Sequence, residues 1–318
     1  MAADIRQIGA LCGHTDQVLT VAASDPARGE FMIATGSEDS TVRIWDPRIS
    51  DRGRTARCLC RCFGGRPVTS VVFVHRDPQR ILASAGHEVL EFDLRAGGEA
   101  LLITQPMTRY SINTKDEVNQ IAVQANGELL AVADDGGAIT IFDLKRHTIV
   151  RSITNAHANI CSAVVWRPRS SGELATGGLD STLALWDLTR SRELGRFDLQ
   201  RELRPSAAST APDAAEALNP PLVHALSFAP DRPQLAAALG DASVAVVEWR
   251  SRSRRVAGRL CGHAAAVAAV HHAAFAPEVL LSAGNDCRLL VWRCGDDGVF
   301  VGDSAAGDGS DGAAVTAA

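Results

Sequence analysis

The chain has 318 residues, 46% hydrophobic and 22% charged, with a formal charge of -5 from 32 basic against 37 acidic side chains. That composition supports a sizeable core and excludes a chain kept unfolded by its own charge. It also lacks the basic excess with which a dedicated nucleic-acid binder advertises its face. The start, MAADIRQIGALCGH, has no basic segment followed by an apolar one, so no secretory signal is expected. The most apolar later stretch, 264–284, is broken by His271, His272, Pro277 and Glu278 and is not expected to cross a bilayer. An intracellular protein is therefore expected, in nucleus, cytoplasm or both. Its eight cysteines (Cys12, Cys58, Cys60, Cys62, Cys161, Cys261, Cys287 and Cys294) should then stay thiols.

In chain order, DIRQIGAL (4–11) predicts a lone first strand. The first full unit follows, with His14, Thr35, Asp39 and Trp45. Its strand TVRIWD (41–46) alternates apolar and polar residues and is preceded by the small-residue strand and polar turn MIATGSEDS. CLCRCF (58–63) places Cys58, Cys60 and Cys62 on one side of an outer strand; C-x-C-x-C without further ligands predicts no metal site. A second unit (67–95) has lost both the histidine and the turn aspartate, and ends EVLEFDLR. A third (116–144) keeps acids at its turn and carries Phe142 where the first has tryptophan.

The fourth unit restores the pattern with His157, Thr176, Asp180 and Trp186. Residues 199–221, rich in proline, alanine and serine, predict a flexible insertion before the fifth unit (222–249). That unit keeps Asp241 but has Val247 at the tryptophan position. RSRSRR (250–255) reads as a solvated turn between blade strands, with a localisation signal or a phosphate-binding strip as the alternatives. The sixth unit carries His263, Ser282, Asp286 and Trp292. His271 and His272 adjoin its first strand and should point to opposite faces. The tail from 296 to 318 is Gly/Ala/Asp low complexity and predicts disorder.

In all three complete units the hydroxyl residue lies four before the aspartate and the tryptophan six after it. The register residues Trp45, Phe92, Phe142, Trp186, Val247 and Trp292 recur at 47, 50, 44, 61 and 45 residues. Four short strands per period of about 45 residues is the signature of radially stacked blades. A carboxylate at a hairpin bend needs donors, and a histidine, a hydroxyl and an indole N–H make a satisfied polar chain for it. Three copies of one arrangement point to architecture, since a reaction centre is normally built once.

Residues 5 to 293 resemble WD40 repeats, on the GH pairs at 13–14 and 262–263 and the WD pairs at 45–46 and 186–187. The resemblance implies an all-β WD40 β-propeller over 4–295, either six-bladed or an incomplete seven-bladed one, with 4–11 completing the last blade and the quartets structural. Arg48 and Arg95 each fall two residues after a strand-ending aspartate, Asp46 and Asp93, in consecutive units. This resembles the WDxR box of substrate receptors for cullin-4 RING ubiquitin ligases. Those four residues are accordingly expected at an interface with the propeller adaptor of that ligase, damage-specific DNA-binding protein 1. Arginine suits such a role because its planar fork holds carboxylates and carbonyls. The run 133–168, the degenerate second unit and GGLDSTLALWDL also resemble the WD repeat-containing protein 53 family. That family implies a seven-bladed propeller with a linker before its last blade, whereas this sequence shows six units.

The expected function is a non-enzymatic protein-interaction scaffold, a substrate receptor of a cullin-4 ligase that holds an unknown substrate protein. A scaffold of another intracellular complex, reading a peptide or histone tail, stays open as the alternative. No catalytic, cofactor-binding or metal site, no membrane and no direct nucleic-acid contact are expected, since no phosphate-cradling loop, GxSxG elbow or HExxH is present.

Overall fold

The computed structural model describes residues 10–25, 31–47, 55–59, 63–96, 102–112, 115–204, 219–250, 253–295 and 300–305. These divide between two compact bodies, one within residues 7–156 and one from residue 157 onward. Each body holds three antiparallel blades. No helix among the described residues is long and apolar enough to cross a membrane.

In the first body, blade one is β1 (Val18–Ala23), β2 (Ile33–Ser37), β3 (Val42–Trp45) and β4 (Thr55–Leu59). Blade two has β5 (Ser70–Val74), β6 (Asp77–Ala85) and β7 (Glu88–Asp93). The two-residue β8 (Leu102–Ile103) runs parallel to β4, and β9 (Thr108–Ser111) closes blade two. Blade three is β10 (Val118–Val123), β11 (Leu129–Asp134), β12 (Ile139–Asp143) and β13 (Thr148–Ile153).

In the second body, blade four is β14 (Cys161–Trp166), β15 (Glu173–Gly178), β16 (Thr182–Asp187) and β17 (Arg192–Asp198). It is followed by the one-turn helix α1 (Leu199–Glu202). Blade five is β18 (Val223–Phe228), β19 (Gln234–Leu239), β20 (Ser243–Trp249) and β21 (Arg254–Cys261). Blade six is β22 (Val267–His272), β23 (Val279–Gly284), β24 (Leu289–Cys294) and β25 (Phe300–Ala305).

The six register residues are equivalent in space. Each sits on the third strand of its blade, opposite an apolar residue of the second: Trp45 on Ile33, Phe92 on Ile81, Phe142 on Leu130, Trp186 on Leu174, Val247 on Leu235 and Trp292 on Leu280. All six are buried. The period-2 alternation expected of these strands thus puts one side chain in each blade into a core layer.

Two expectations are corrected. The edge of β24 is taken by β25, paired from Leu289 with Ala305 to Cys294 with Phe300, and not by 4–11. Pairing to an open edge uses backbone groups alone, so FVGDSA serves despite its low-complexity surroundings. The blade therefore extends beyond residue 295 into the tail; residues 4–9 and 306–318 lie outside the described residues. The insertion 199–221 also begins in order. Leu199 is buried in the core of blades four and five, and Asp198 caps α1 by accepting from the Arg201 amide. Residues 205–218 lie outside the described residues.

Candidate functional site

Each complete quartet draws on four segments of one blade: the connection into the inner strand, the second strand, the turn after it and the third strand. In blade one, Trp45 Nε1 donates to Thr35 Oγ1 at 2.8 Å. Thr35 Oγ1 lies 2.8 Å from His14 Nε2, and His14 Nδ1 lies 2.8 Å from Asp39 Oδ2. Blade four repeats this with Trp186 to Thr176 at 2.9 Å, Thr176 to His157 at 2.9 Å and His157 to Asp180 at 3.1 Å. Blade six does so with Trp292 to Ser282 at 2.8 Å, Ser282 to His263 at 2.8 Å and His263 to Asp286 at 3.0 Å. A carboxylate only accepts and an indole only donates, so the chain has one direction. Indole N–H donates to the hydroxyl, hydroxyl to Nε2, and Nδ1–H to the carboxylate.

The turn aspartate is the hub. Asp39 also accepts from the Thr15 amide at 3.1 Å and the Thr41 hydroxyl at 2.6 Å. Asp180 accepts from the Ala158 amide and the Thr182 hydroxyl, each at 2.8 Å. Burial opposes ionisation of Asp39, but the hydrogen bonds of Thr41, His14 and Thr15 outweigh it and bring its pKa to about 2. Asp180 is lowered in the same way, burial again overcome by His157, Ala158 and Thr182. The residue after each aspartate (Ser40, Ser181 and Cys287) has φ near +60°, a left-handed step that aims the carboxylate back at the histidine.

A hydroxyl, an imidazole and a carboxylate in series also describe a hydrolase triad, but this one is placed for anchoring. Thr176 is fully buried, and its oxygen is already engaged by an indole N–H and an imidazole. A nucleophile needs open approach for a substrate carbonyl. No group of three His, Cys, Asp or Glu side chains arranged to hold a metal occurs among the described residues. His271 and His272 do face opposite ways, exposed and buried respectively. Cys58 lies on the outer strand β4, while Cys60 and Cys62 lie outside the described residues.

Where a quartet is missing, other polar side chains take over, at the turn in blade five and within the third strand in blade two. In blade five, Arg259 reaches from β21 to Asp241 at 2.6 Å, and the Ser243 hydroxyl donates to the same carboxylate at 2.5 Å. Nothing in the sequence marks Arg259 for this, since an arginine on an outer strand is common. In blade two, Glu91 is fully buried, paired with Arg80 and accepting from Tyr110 at 2.7 Å; the Tyr110 hydroxyl also meets His147 of blade three at 2.9 Å.

Of the four arginine-box residues, Arg48 lies outside the described residues. Asp46 follows Trp45 at the end of β3 and is half-buried. Asp93 ends β7. Arg95 Nε donates to Asp93 at 2.8 Å and its Nη2 to Asp77 at 2.8 Å, while the side chain stays 56% exposed. Hydrogen bonds from Arg95 hold the Asp93 carboxyl below its ordinary range. In the second body a groove of about 230 Å³ runs beside α1, lined by Leu199, Leu203, Pro221 and the Arg259–Asp241 pair.

Six blades among the described residues, three of them pinned by His–hydroxyl–Asp–Trp quartets, define an all-β fold of the WD40 β-propeller type. The WD domain, G-beta repeat family matches residues 5–46 and 147–187, so this chain carries WD40 repeats. It is 27% identical over 298 residues to the WD repeat-containing protein 53 homolog of Dictyostelium discoideum, covering 90% of this chain and 78% of that protein. It is 28% identical to Striatin-4 of Homo sapiens over 72% of this chain, and spans 27% of that longer protein. A chain in a crystal structure of the mitotic checkpoint complex superposes with a TM-score of 0.67 at 18% identity, over 83% of this chain and 74% of that one, a likeness of fold. The class to which these features assign the chain is a propeller scaffold for protein interactions.

Proposed function

We propose that the chain is a substrate receptor of a cullin-4 RING ubiquitin ligase, docking damage-specific DNA-binding protein 1 through the strand ends of blades one and two. The observation that carries this reading is Arg95. Its fork is steadied by two carboxylates at the end of β7 yet stays open to solvent. A partner carbonyl or carboxylate then meets a guanidinium that has already lost much of its side-chain freedom. Asp46 follows the last residue of β3 on the neighbouring blade, two residues before Arg48.

The groove beside α1 favours a second reading, a scaffold that takes up a peptide or histone tail without a ligase role; in a receptor it would hold the substrate. One experiment separates the two. Affinity capture from cells should recover the adaptor with the wild type and lose it with Arg48→Ala plus Arg95→Ala, at an unchanged melting temperature. Equal recovery by the double variant contradicts adaptor docking.

A further inference from the structure

The groove of about 230 Å³ beside α1 lies wholly within the second body. One wall is α1 and its exit, with Leu199, Leu203 and Arg204. The other has Pro221 ahead of β18, Asp241 in the β19–β20 turn and Arg259 on β21. Backbone bonds fix both walls. The Leu199 amide donates to the Ser181 carbonyl at 3.0 Å, and the Leu203 amide to that of Leu199 at 3.1 Å. Across the groove the Leu222 amide donates to Pro220 at 2.8 Å, and the Gly240 amide to Leu222 at 2.9 Å. The shape is therefore built before anything binds, and a guest does not have to order it. Its volume falls short of the roughly 300–1,000 Å³ usual for small-molecule and cofactor sites. It suits a few side chains of a peptide.

Its chemistry selects among peptides. Leu199, Leu203 and Pro221 offer an apolar floor, and the charged lining residues are Arg204, Arg259 and Asp241. Asp241 is engaged on both oxygens. Oδ1 accepts from the Ser243 hydroxyl at 2.5 Å and the Ser243 amide at 3.1 Å, and Oδ2 from Arg259 Nη2 at 2.6 Å. Arg259 gives its Nε to the Ser243 hydroxyl at 2.9 Å, while its Nη1 makes no hydrogen bond among the described residues and its side chain is 37% exposed. A lysine-rich tail would add a third cation to this lining, with the lining carboxylate already taken, a like-charge cost. A carboxylate instead meets the open edge of the Arg259 fork.

We propose, on the reading of this groove as a peptide site, that its guest is a partner segment in which acidic residues flank aliphatic ones. The carboxylate meets Arg259 Nη1 and Arg204, and the aliphatic side chains lie on Leu203 and Pro221. Such a guest is opposite in charge to a histone tail.

Fluorescence anisotropy of the whole chain with three short labelled peptides tests it: leucine alternating with glutamate, with lysine, and with serine. The glutamate peptide should bind at least about tenfold more tightly than the other two, and rising salt should weaken it. Arg204→Glu should weaken the glutamate peptide at least about tenfold and leave the serine peptide unchanged. Asp241→Asn, which withdraws the competing carboxylate from Arg259, should tighten it severalfold, whereas a purely structural role for the pair would weaken it. Thermal melts check that both variants are folded. A lysine peptide that binds as tightly as the glutamate one overturns the acidic class and leaves the groove a peptide site. Binding by none of the three removes the peptide reading as well. Binding of the glutamate peptide that neither variant alters places it elsewhere and overturns the proposal. So does binding that appears only once residues 205–218 are replaced by glycine and serine, or a wild-type dimer that the peptide dissociates, since the occupant is then the chain itself.

Discussion

Blade four fastens its β15–β16 turn with His157, whereas blade five, whose strands pair in the same register, fastens its own with Arg259. The cores behind the two turns are alike, with Leu183 and Leu185 in one and Ala245 and Val247 in the other fully buried in a shared cluster. Only the polar pin has changed. A buried four-member chain that includes the Trp186 indole has given way to a partly exposed ion pair, and Trp249 two positions later packs on Phe228 at 5.3 Å and lies beneath Arg167. Apolar burial makes the blade, and the quartet adds a fixed, desolvated lock on one turn.

The largest test of that distinction is Trp186→Ala, which removes both the core filler and the indole donor. It should cost about 3–5 kcal/mol in chemical denaturation. A loss near 1 kcal/mol would mean that blade four does not depend on this ring.

Next comes a difference between blades five and six. His272 occupies the position that Phe228 holds in blade five, each opposite a leucine of the second strand. Burial lowers the His272 pKa to about 4. The unfolded chain binds this proton near pH 6.5 and the folded chain does not. Stability is therefore complete above pH 6.5 and falls as pH drops toward 4, by on the order of 3 kcal/mol. Burial lowers His224 too, with the same sign. Melting temperatures from pH 7 to 4 should fall for the wild type and less for His272→Phe; parallel curves would contradict the assignment.

A smaller effect compares the two hub carboxylates. Asp180→Ala leaves His157, Thr182 and the Ala158 amide without their acceptor and should cost about 1–3 kcal/mol. Asp241→Ala breaks a pair whose arginine is over a third exposed and should cost less than about 1 kcal/mol. Equal losses would remove the distinction between lock and surface pair.

The quartets were legible in the sequence because histidine, aspartate and tryptophan are scarce and their spacing is set by hairpin geometry. The six register positions were legible for a related reason: strands of fixed length must return to the core in phase, even where valine replaces tryptophan. The edge strand β25 was hidden because edge pairing asks nothing of side chains. Arg259 was hidden because its partner lies 18 residues away with no motif between them.

Whether the quartet acts as one unit is tested most directly by a double-mutant cycle between His157 and Trp186, which share no hydrogen bond and are joined through Thr176. Unfolding free energies of His157→Ala, Trp186→Phe and the double variant should reveal a coupling of at least about 1 kcal/mol. Losses that add to within about 0.5 kcal/mol would mean that two independent contacts, and no polar chain, hold the blade.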